Sequence, residues 1–259
     1  MKYITERNII MKKSAFLSLC VILFSSAILG IPGPEEFISF GTGQIPYSPV
    51  VGDIDADGRP EIVIASRSTS MSGNGRILVI RKPDTGGPST TVWNNRFGRA
   101  CFTPALADVN GDGVAEIYCN CYLDSPGGSG VICVDGPSGG VIWATDIGGT
   151  PYTTTGHEVL LADYDGGGDI EVISQQNRTS TYEIVVLDAL SGAVKFTITT
   201  SGRAYASMDC EDINYDGRNE LIASVTGGST GDVQLCCWND EGTLLWSVDG
   251  GPPAVADID

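Results

Sequence analysis

The fold turns on Pro104-ALADVNGDGVAEIYC-Asn120, in which a short apolar run, an acidic turn and a second apolar run follow within seventeen residues. The same frame returns in Pro49-VVGDIDADGRPEIVIA-Ser66, Glu158-VLLADYDGGGDIEVI-Ser174, Ser207-MDCEDINYDGRNELIA-Ser224 and Pro253-AVADI-Asp259. The first acidic anchors are Asp53, Asp108, Asp163, Asp212 and Asp257, at steps of 55, 55, 49 and 45 residues. A second element recurs between them: Val131-ICVDGPSGGVI-Trp143, Ile184-VVLDALSGAVK-Phe196 and Gln234-LCCWNDEGTLL-Trp246, with Arg76-ILVIRKPDTGGPSTTV-Trp93 as a copy with a longer turn. Each copy reads as an alternating apolar strand, a polar turn with Gly, and a strand ending in an aromatic.

Every unit therefore offers four short strands, A to D, and in the second they are 104–107, 116–121, 131–134 and 141–145. Helical periodicity is absent, and Gly, Pro and Asn recur too often for a long helix. Four-stranded units near a period of fifty are what a β-propeller blade requires, whereas solenoid repeats usually carry fewer strands. The expectation is an all-β propeller of four-stranded antiparallel blades. About four are complete, at residues 45–98, 99–150, 151–202 and 203–250. A partial fifth spans 251–259, so the chain reads as truncated there.

The acidic turns predict metal sites. The first places oxygen-bearing side chains at Asp53, Asp55, Asp57 and Glu61, around Gly58. The second has Asp108, Asn110, Asp112 and Glu116, and the fourth Asp212, Asn214, Asp216 and Glu220. Donors at turn positions 1, 3, 5 and 9, with Gly at 6 and the carbonyls of Arg59, Val114 and Arg218 at 7, can wrap one hard cation. Position 12 holds Ile64, Cys119 and Ala223 where an EF-hand needs Glu, so the loop is a calcium loop in a β-hairpin. Asp, Asn and Gly also make good solvated turns. That accounts for one such turn but poorly for three with four ligands in one frame, because crowded like charges repel without a divalent ion. Magnesium, which demands a near-octahedral shell, fits less well than Ca2+. The third copy keeps Asp163, Asp165 and Glu171, but Gly167 stands at position 5, with Asp169 offered as a compensating ligand. The fifth keeps only Asp257 and Asp259.

These motifs resemble FG-GAP/VCBS-type propeller repeats, whose blades carry an acidic Asp-x-Asp/Asn-x-Asp-Gly loop between strands A and B. The C–D element is also similar to pyrroloquinoline-quinone-type propeller repeats. The resemblance spans roughly residues 45–259 and implies several structural calcium ions. Related propellers serve in adhesion and ligand binding, as noncatalytic modules of secreted proteins, and in some polysaccharide lyases.

Composition bounds the rest. With 15 Lys+Arg against 32 Asp+Glu in 259 residues the formal charge is −17, which excludes non-specific binding to nucleic acid and disfavours anionic membranes. Residues 1–30 read as an export signal, with Lys12 and Lys13 before an apolar run of about fifteen residues, too short to span a bilayer. Met11 offers an alternative start, and residues 31–44 form a lead-in. Loss of that segment removes four basic residues and one acidic residue, leaving −20. In an exported chain that acidic, the carboxylates are either dispersed in solvent or neutralised by cations.

Seven cysteines would remain, and a hairpin centred near Gly127 sets Cys121 opposite Cys133 as the disulfide expected first. Trp93, Trp143, Phe196 and Trp246, in register, read as inter-blade packing rather than a quinone-stacking platform. His157, the single histidine, lacks a nucleophile motif beside it, so no catalytic residue is assigned. Asn177-Arg178-Thr179 is a glycosylation sequon. The function expected is a secreted, periplasmic or cell-surface scaffold, noncatalytic and monomeric, that binds a protein or glycan partner. The alternative is a polysaccharide lyase resembling the rhamnogalacturonan lyases.

Overall fold

The computed structural model describes residues 44–68, 73–82, 89–124, 128–148, 158–177, 181–226 and 232–250. The export segment, His157, the sequon beyond Asn177, and Asp257 and Asp259 lie outside them. Every regular element among the described residues is a β-strand.

Four units of antiparallel strands follow one another. The first contains β1 (Gln44–Pro46), β2 (Val50–Gly52), β3 (Glu61–Ser68), β4 (Gly75–Arg81) and β5 (Thr90–Gly98). The second contains β6 (Ala100–Cys101), β7 (Ala105–Ala107), β8 (Glu116–Tyr122), β9 (Ser129–Val134) and β10 (Val141–Gly148). In these two, strand A is split into two short pieces, each pairing with strand B. The third runs β11 (Val159–Ala162), β12 (Glu171–Asn177), β13 (Tyr182–Asp188), β14 (Val194–Thr200). The fourth runs β15 (Ala204–Glu211), β16 (Glu220–Thr226), β17 (Val233–Trp238), β18 (Leu244–Asp249). Units three and four are separate four-stranded sheets, whereas β6 pairs with both β3 and β8 and splices units one and two into one sheet.

Strands B and C are buried on both faces, which is why Ile117–Tyr122 and Val131–Val134 read as almost unbroken apolar runs instead of alternating ones. Each face packs on the next unit. Val63, Ile77 and Trp93 of the first meet Ile117, Cys121 and Ile132 of the second. Tyr118, Val131 and Ile147 meet Val172, Val185 and Leu187 of the third. Ile173, Ile184 and Val186 meet Leu221, Ala223 and Trp238 of the fourth. This stacking of like sheets through apolar faces is what a propeller requires.

The strand-D aromatics are latches between units. Trp93 donates its Nε1–H to the carbonyl of Gly136 (2.8 Å), and Trp143 donates to Ala189 (3.0 Å), each in the C–D turn of the following unit. Gly192 lies in that turn at φ +72°, and a Cβ there would sit 2.6 Å from the Trp143 ring, so only glycine lets the ring close over it. The packing reading of these aromatics holds for Trp93, Trp143 and Phe196, while Trp246 is 37% exposed.

Each strand D also carries a β-bulge one residue before its aromatic. Pairing skips Val92, Ile142, Lys195 and Leu245 in turn. A bulge re-aims the extra side chain out of the ladder.

The disulfide expected between Cys121 and Cys133 is overturned. Cys121 stands opposite Gly130, and Cys133 opposite Tyr118. The register differs by three residues from the expectation, and an odd shift turns Cys133 to the other face of the sheet. Cys121 thus faces the first unit and Cys133 the third. The run Asp124-SPGGS-Gly130 offers several positions for a turn centre, and nothing local chooses among them.

Candidate metal centres

All four A–B turns close in the same way. The N–H of the position-6 glycine donates to the position-1 carboxylate: Gly58 to Asp53 (2.8 Å), Gly113 to Asp108 (2.8 Å), Gly168 to Asp163 (3.0 Å) and Gly217 to Asp212 (2.9 Å). Those glycines have φ of +83° to +89°, and a second left-handed residue sits at position 4: Ala56, Gly111, Gly166 and Tyr215. The position-3 side chain accepts the N–H of position 5 in each loop. Position 5 accepts from position 7 wherever it is Asp. The glutamate at position 9 starts strand B and is buried in every copy, where its Oε2 accepts the N–H of position 2: Ile54, Val109, Tyr164 and Ile213, at 3.2, 3.0, 2.8 and 3.1 Å. The sequence reading treated this glutamate as a ligand. Its burial makes it a clamp on the loop as well.

The loops differ in what meets the oxygens that remain. In the first, Arg81 at the end of β4 donates to Asp55 (2.5 Å) and Glu61 (2.6 Å) and lies 3.2 Å from Asp57. In the third, the ammonium of Lys195 bonds Asp165 and reaches Glu171 at 2.8 Å. Hydrogen bonds to these carboxylates push both basic groups above their ordinary range, and the Lys195 bond holds Asp165 below its own. In the second and fourth, Asn110 and Asn214 donate to Glu116 (2.6 Å) and Glu220 (2.9 Å), and no basic side chain among the described residues pairs with either set. Burial raises both glutamates above the usual carboxylate range, and the aspartates of each loop add to the effect.

The positions of both cations follow from the register. Arg81 occupies the place across from Glu61 where the other units put Asp135, Asp188 and Asn239. Lys195 is the bulged residue of β14. Sequence reading missed both, although the signal was present: Arg81 replaces the turn-capping Asp/Asn of strand C, and Lys195 stands among Val92, Ile142 and Leu245 at the residue before the aromatic.

Ligand atoms of Asp53, Asp55 and Glu61 lie within 4.8 Å of one another, as do those of Asp163, Asp165 and Glu171. One oxygen of Asp163 is buried without a hydrogen-bond partner. Asp169 is exposed and outside that group. The carboxylates of Asp108, Asp112 and Glu116, and of Asp212, Asp216 and Glu220, are not gathered this closely; by chemistry alone these sets, with Asn110 or Asn214 and the position-7 carbonyl, suit a hard, oxygen-seeking cation. The first loop fits one less well, because a guanidinium already engages three of its carboxylates.

Residues 53–119 match the FG-GAP-like repeat family. Among solved structures, the chain is similar to the rhamnogalacturonan lyase YesW, at 16% identity and TM-score 0.54, over 79% of this chain and 42% of that one. It is also similar to the Bacillus licheniformis rhamnogalacturonan lyase PL11, at 15% identity and TM-score 0.50, over 81% of this chain and 51% of that one. A europium-containing methanol dehydrogenase aligns at 13% identity and TM-score 0.51, over 79% of this chain and 41% of that one. At these identities the likeness is one of fold, and the chain spans about half or less of each structure. No protein of curated function matches the sequence.

Proposed function

From the premise that this chain is a β-propeller carrying an FG-GAP-like repeat, we propose that it is an exported, noncatalytic scaffold whose A–B turns are held by cations and whose loops bind a protein or glycan partner. Calcium is the ion proposed for the second and fourth loops, held by Asp108, Asn110, Asp112 and Glu116 and by Asp212, Asn214, Asp216 and Glu220. The observation that carries this is the split among four loops that share the same closing hydrogen bonds. Arg81 and Lys195 pair with the buried glutamates of the first and third, whereas among the described residues no basic side chain pairs with Glu116 or Glu220, Arg218 of the fourth loop being paired with Asp240. A divalent ion would supply there what the side chains supply elsewhere, offsetting the repulsion and fixing the turn. Extracellular loops of this sort have affinities of roughly 10⁻⁴–10⁻³ M, suited to a constitutive structural ion.

Lyase chemistry on an acidic sugar would need basic groups free to meet it. Arg81, Lys195, Arg96 and Arg218 are each engaged with carboxylates, the last two with Asp124 and Asp240 at 2.6 Å, which supports the scaffold reading. The test is a thermal melt with calcium and with chelator, together with calorimetric titration. The expected result is a calcium-dependent rise with two sites per chain, and an unchanged midpoint refutes the metal assignment. Incubation with pectic polysaccharide, followed at the absorbance of unsaturated products, is expected to show none.

A further inference from the structure

Three cysteines, Cys101 on β6 and Cys119 and Cys121 on β8, meet in the apolar core between the first and second units. All three are fully buried. Cys101 and Cys121 are direct cross-strand partners, and their sulfurs lie 3.0 Å apart. Phe102 N–H donates to the carbonyl of Asn120 (3.0 Å), which brackets the pair and makes it the non-hydrogen-bonded kind. In such pairs the Cα atoms are about 4.5 Å apart, inside the span a disulfide bridges. Cys119 lies on the same face as Cys121, its sulfur 4.0 Å away and 3.1 Å from the carbonyl of Phe102. Two residues along one strand point side by side and are poorly placed to bond each other.

We propose that Cys101 and Cys121 form a disulfide that ties the connector β6 to β8, with Cys119 left as a thiol. In the covalent step the Cys121 thiolate attacks a small-molecule disulfide and expels one thiolate. Cys101 then attacks the Cys121 sulfur and expels the second. One S–S bond forms in the protein, two S–H bonds are lost, and the donor disulfide is reduced to two thiols. All three sulfurs are fully buried, so a small-molecule disulfide cannot reach them once the core has closed. The bond therefore forms while the chain folds and is shielded afterwards. Its position has a consequence for the acidic turns: the covalent ring from residue 101 to 121 encloses the whole second loop, 108–116. Because β6 also pairs with β3, the bond fixes the junction of two units.

The test is refolding of the full chain with oxidised and reduced glutathione, followed by denaturation in alkylating agent without reductant. Cleavage at aspartate places Cys101, the Cys119–Cys121 pair and Cys133 on three different fragments. The expected map joins the Cys101 fragment to that of residues 112–123, and the link persists in Cys119→Ser and is lost in Cys121→Ser. The oxidised chain is also expected to melt about 6–12 °C above the reduced one. Full alkylation of all three cysteines, or a link from Cys133 or through Cys119, would overturn the proposal. The wild-type map is read on denatured chain, and sequencing the linked 112–123 fragment by tandem mass spectrometry shows whether Cys119 or Cys121 carries the alkyl group, so it decides the matter even if a serine variant does not fold.

Discussion

Replacing Arg81 by Met keeps most of the apolar stem and removes the charge from Asp55, Asp57 and Glu61. Glu61 is fully buried, and removing one partner of a buried pair costs about 3–5 kcal/mol. The guanidinium is 25% exposed, and Asp55 and Asp57 are 26% and 37% exposed, so those two arms are screened by water. A cost of about 2–3 kcal/mol is the result in chelator, or about 4–12 °C in melting temperature for a domain of this size. Calcium should reverse it. The Arg81→Met loop has the same four side chains, now free to take an ion, and at 100 times Kd binding restores about 2.7 kcal/mol. With Kd near 10⁻⁴ M this needs about 10 mM calcium. The assay is a pair of melts, in chelator and in calcium, with the stoichiometry measured by titration. The variant is expected to fall in chelator, to recover in calcium and to bind one ion more than the wild type. An equal loss in both conditions, with unchanged stoichiometry, refutes the exchange of guanidinium for metal.

Glu220→Gln keeps one oxygen for the Ile213 N–H and removes a charge facing Asp212 and Asp216; it should change the melt in chelator little and cut the calcium-induced rise by about half. Leu245→Lys places an ammonium at the bulge position that Lys195 occupies in β14; it should raise the melt in chelator by about 2–8 °C and likewise remove one calcium site, whereas Leu245→Gln should not. Gly192→Ala meets both a left-handed backbone and the Trp143 ring, so a loss of more than about 1 kcal/mol is expected in a denaturant melt. Hydrogen bonds from the Ser191 hydroxyl and N–H hold the Asp188 carboxyl below its ordinary range, so the ionised form is favoured by folding and its stabilisation is lost as pH falls. The gap in melting temperature between wild type and Asp188→Asn should be constant above about pH 5 and close below about pH 4.

The architecture was legible because two independent periods agreed. Strands of alternating or unbroken apolar residues recur around loops with fixed offsets, and each offset is tied to a hydrogen bond within its own loop, such as Gly58 to Asp53 or Ile54 to Glu61. Local geometry of that kind is carried by the residues that make it. What the sequence hid depends on register between strands. The Cys121 partner required knowing where a Gly- and Ser-rich turn reverses, and three residues of error moved Cys133 to another interface. The Arg81 and Lys195 ion pairs join residues 20 to 30 positions away from their carboxylates. They come into view only when the bulge and the end of strand C are aligned across all four units.

That alignment also bears on the proposed role of the acidic turns. If the loops existed to capture a regulatory ion, replacing the ion's charge by a fixed side chain in two of four copies would abolish their purpose. Three hydrogen bonds nevertheless recur in all four described loops, whether or not a basic side chain is in contact: position 6 to position 1, position 5 to position 3, and the clamp from position 2 onto the position-9 glutamate. On the proposed reading, every copy takes positive charge at one point, beside a carboxylate that strand B forces into the core. Two positions in the blade can deliver it covalently: the residue across from the glutamate on strand C, and the bulged residue of strand D, which is freed from the ladder to point elsewhere. Where the first is Asp135 or Asn239 and the second Ile142 or Leu245, neither position supplies a charge, and a soluble cation is the source we propose there. If the Arg81→Met loop takes up an ion as proposed, the neutralising species is interchangeable and the closed turn is the constant, which is the logic of a structural element rather than of a sensor.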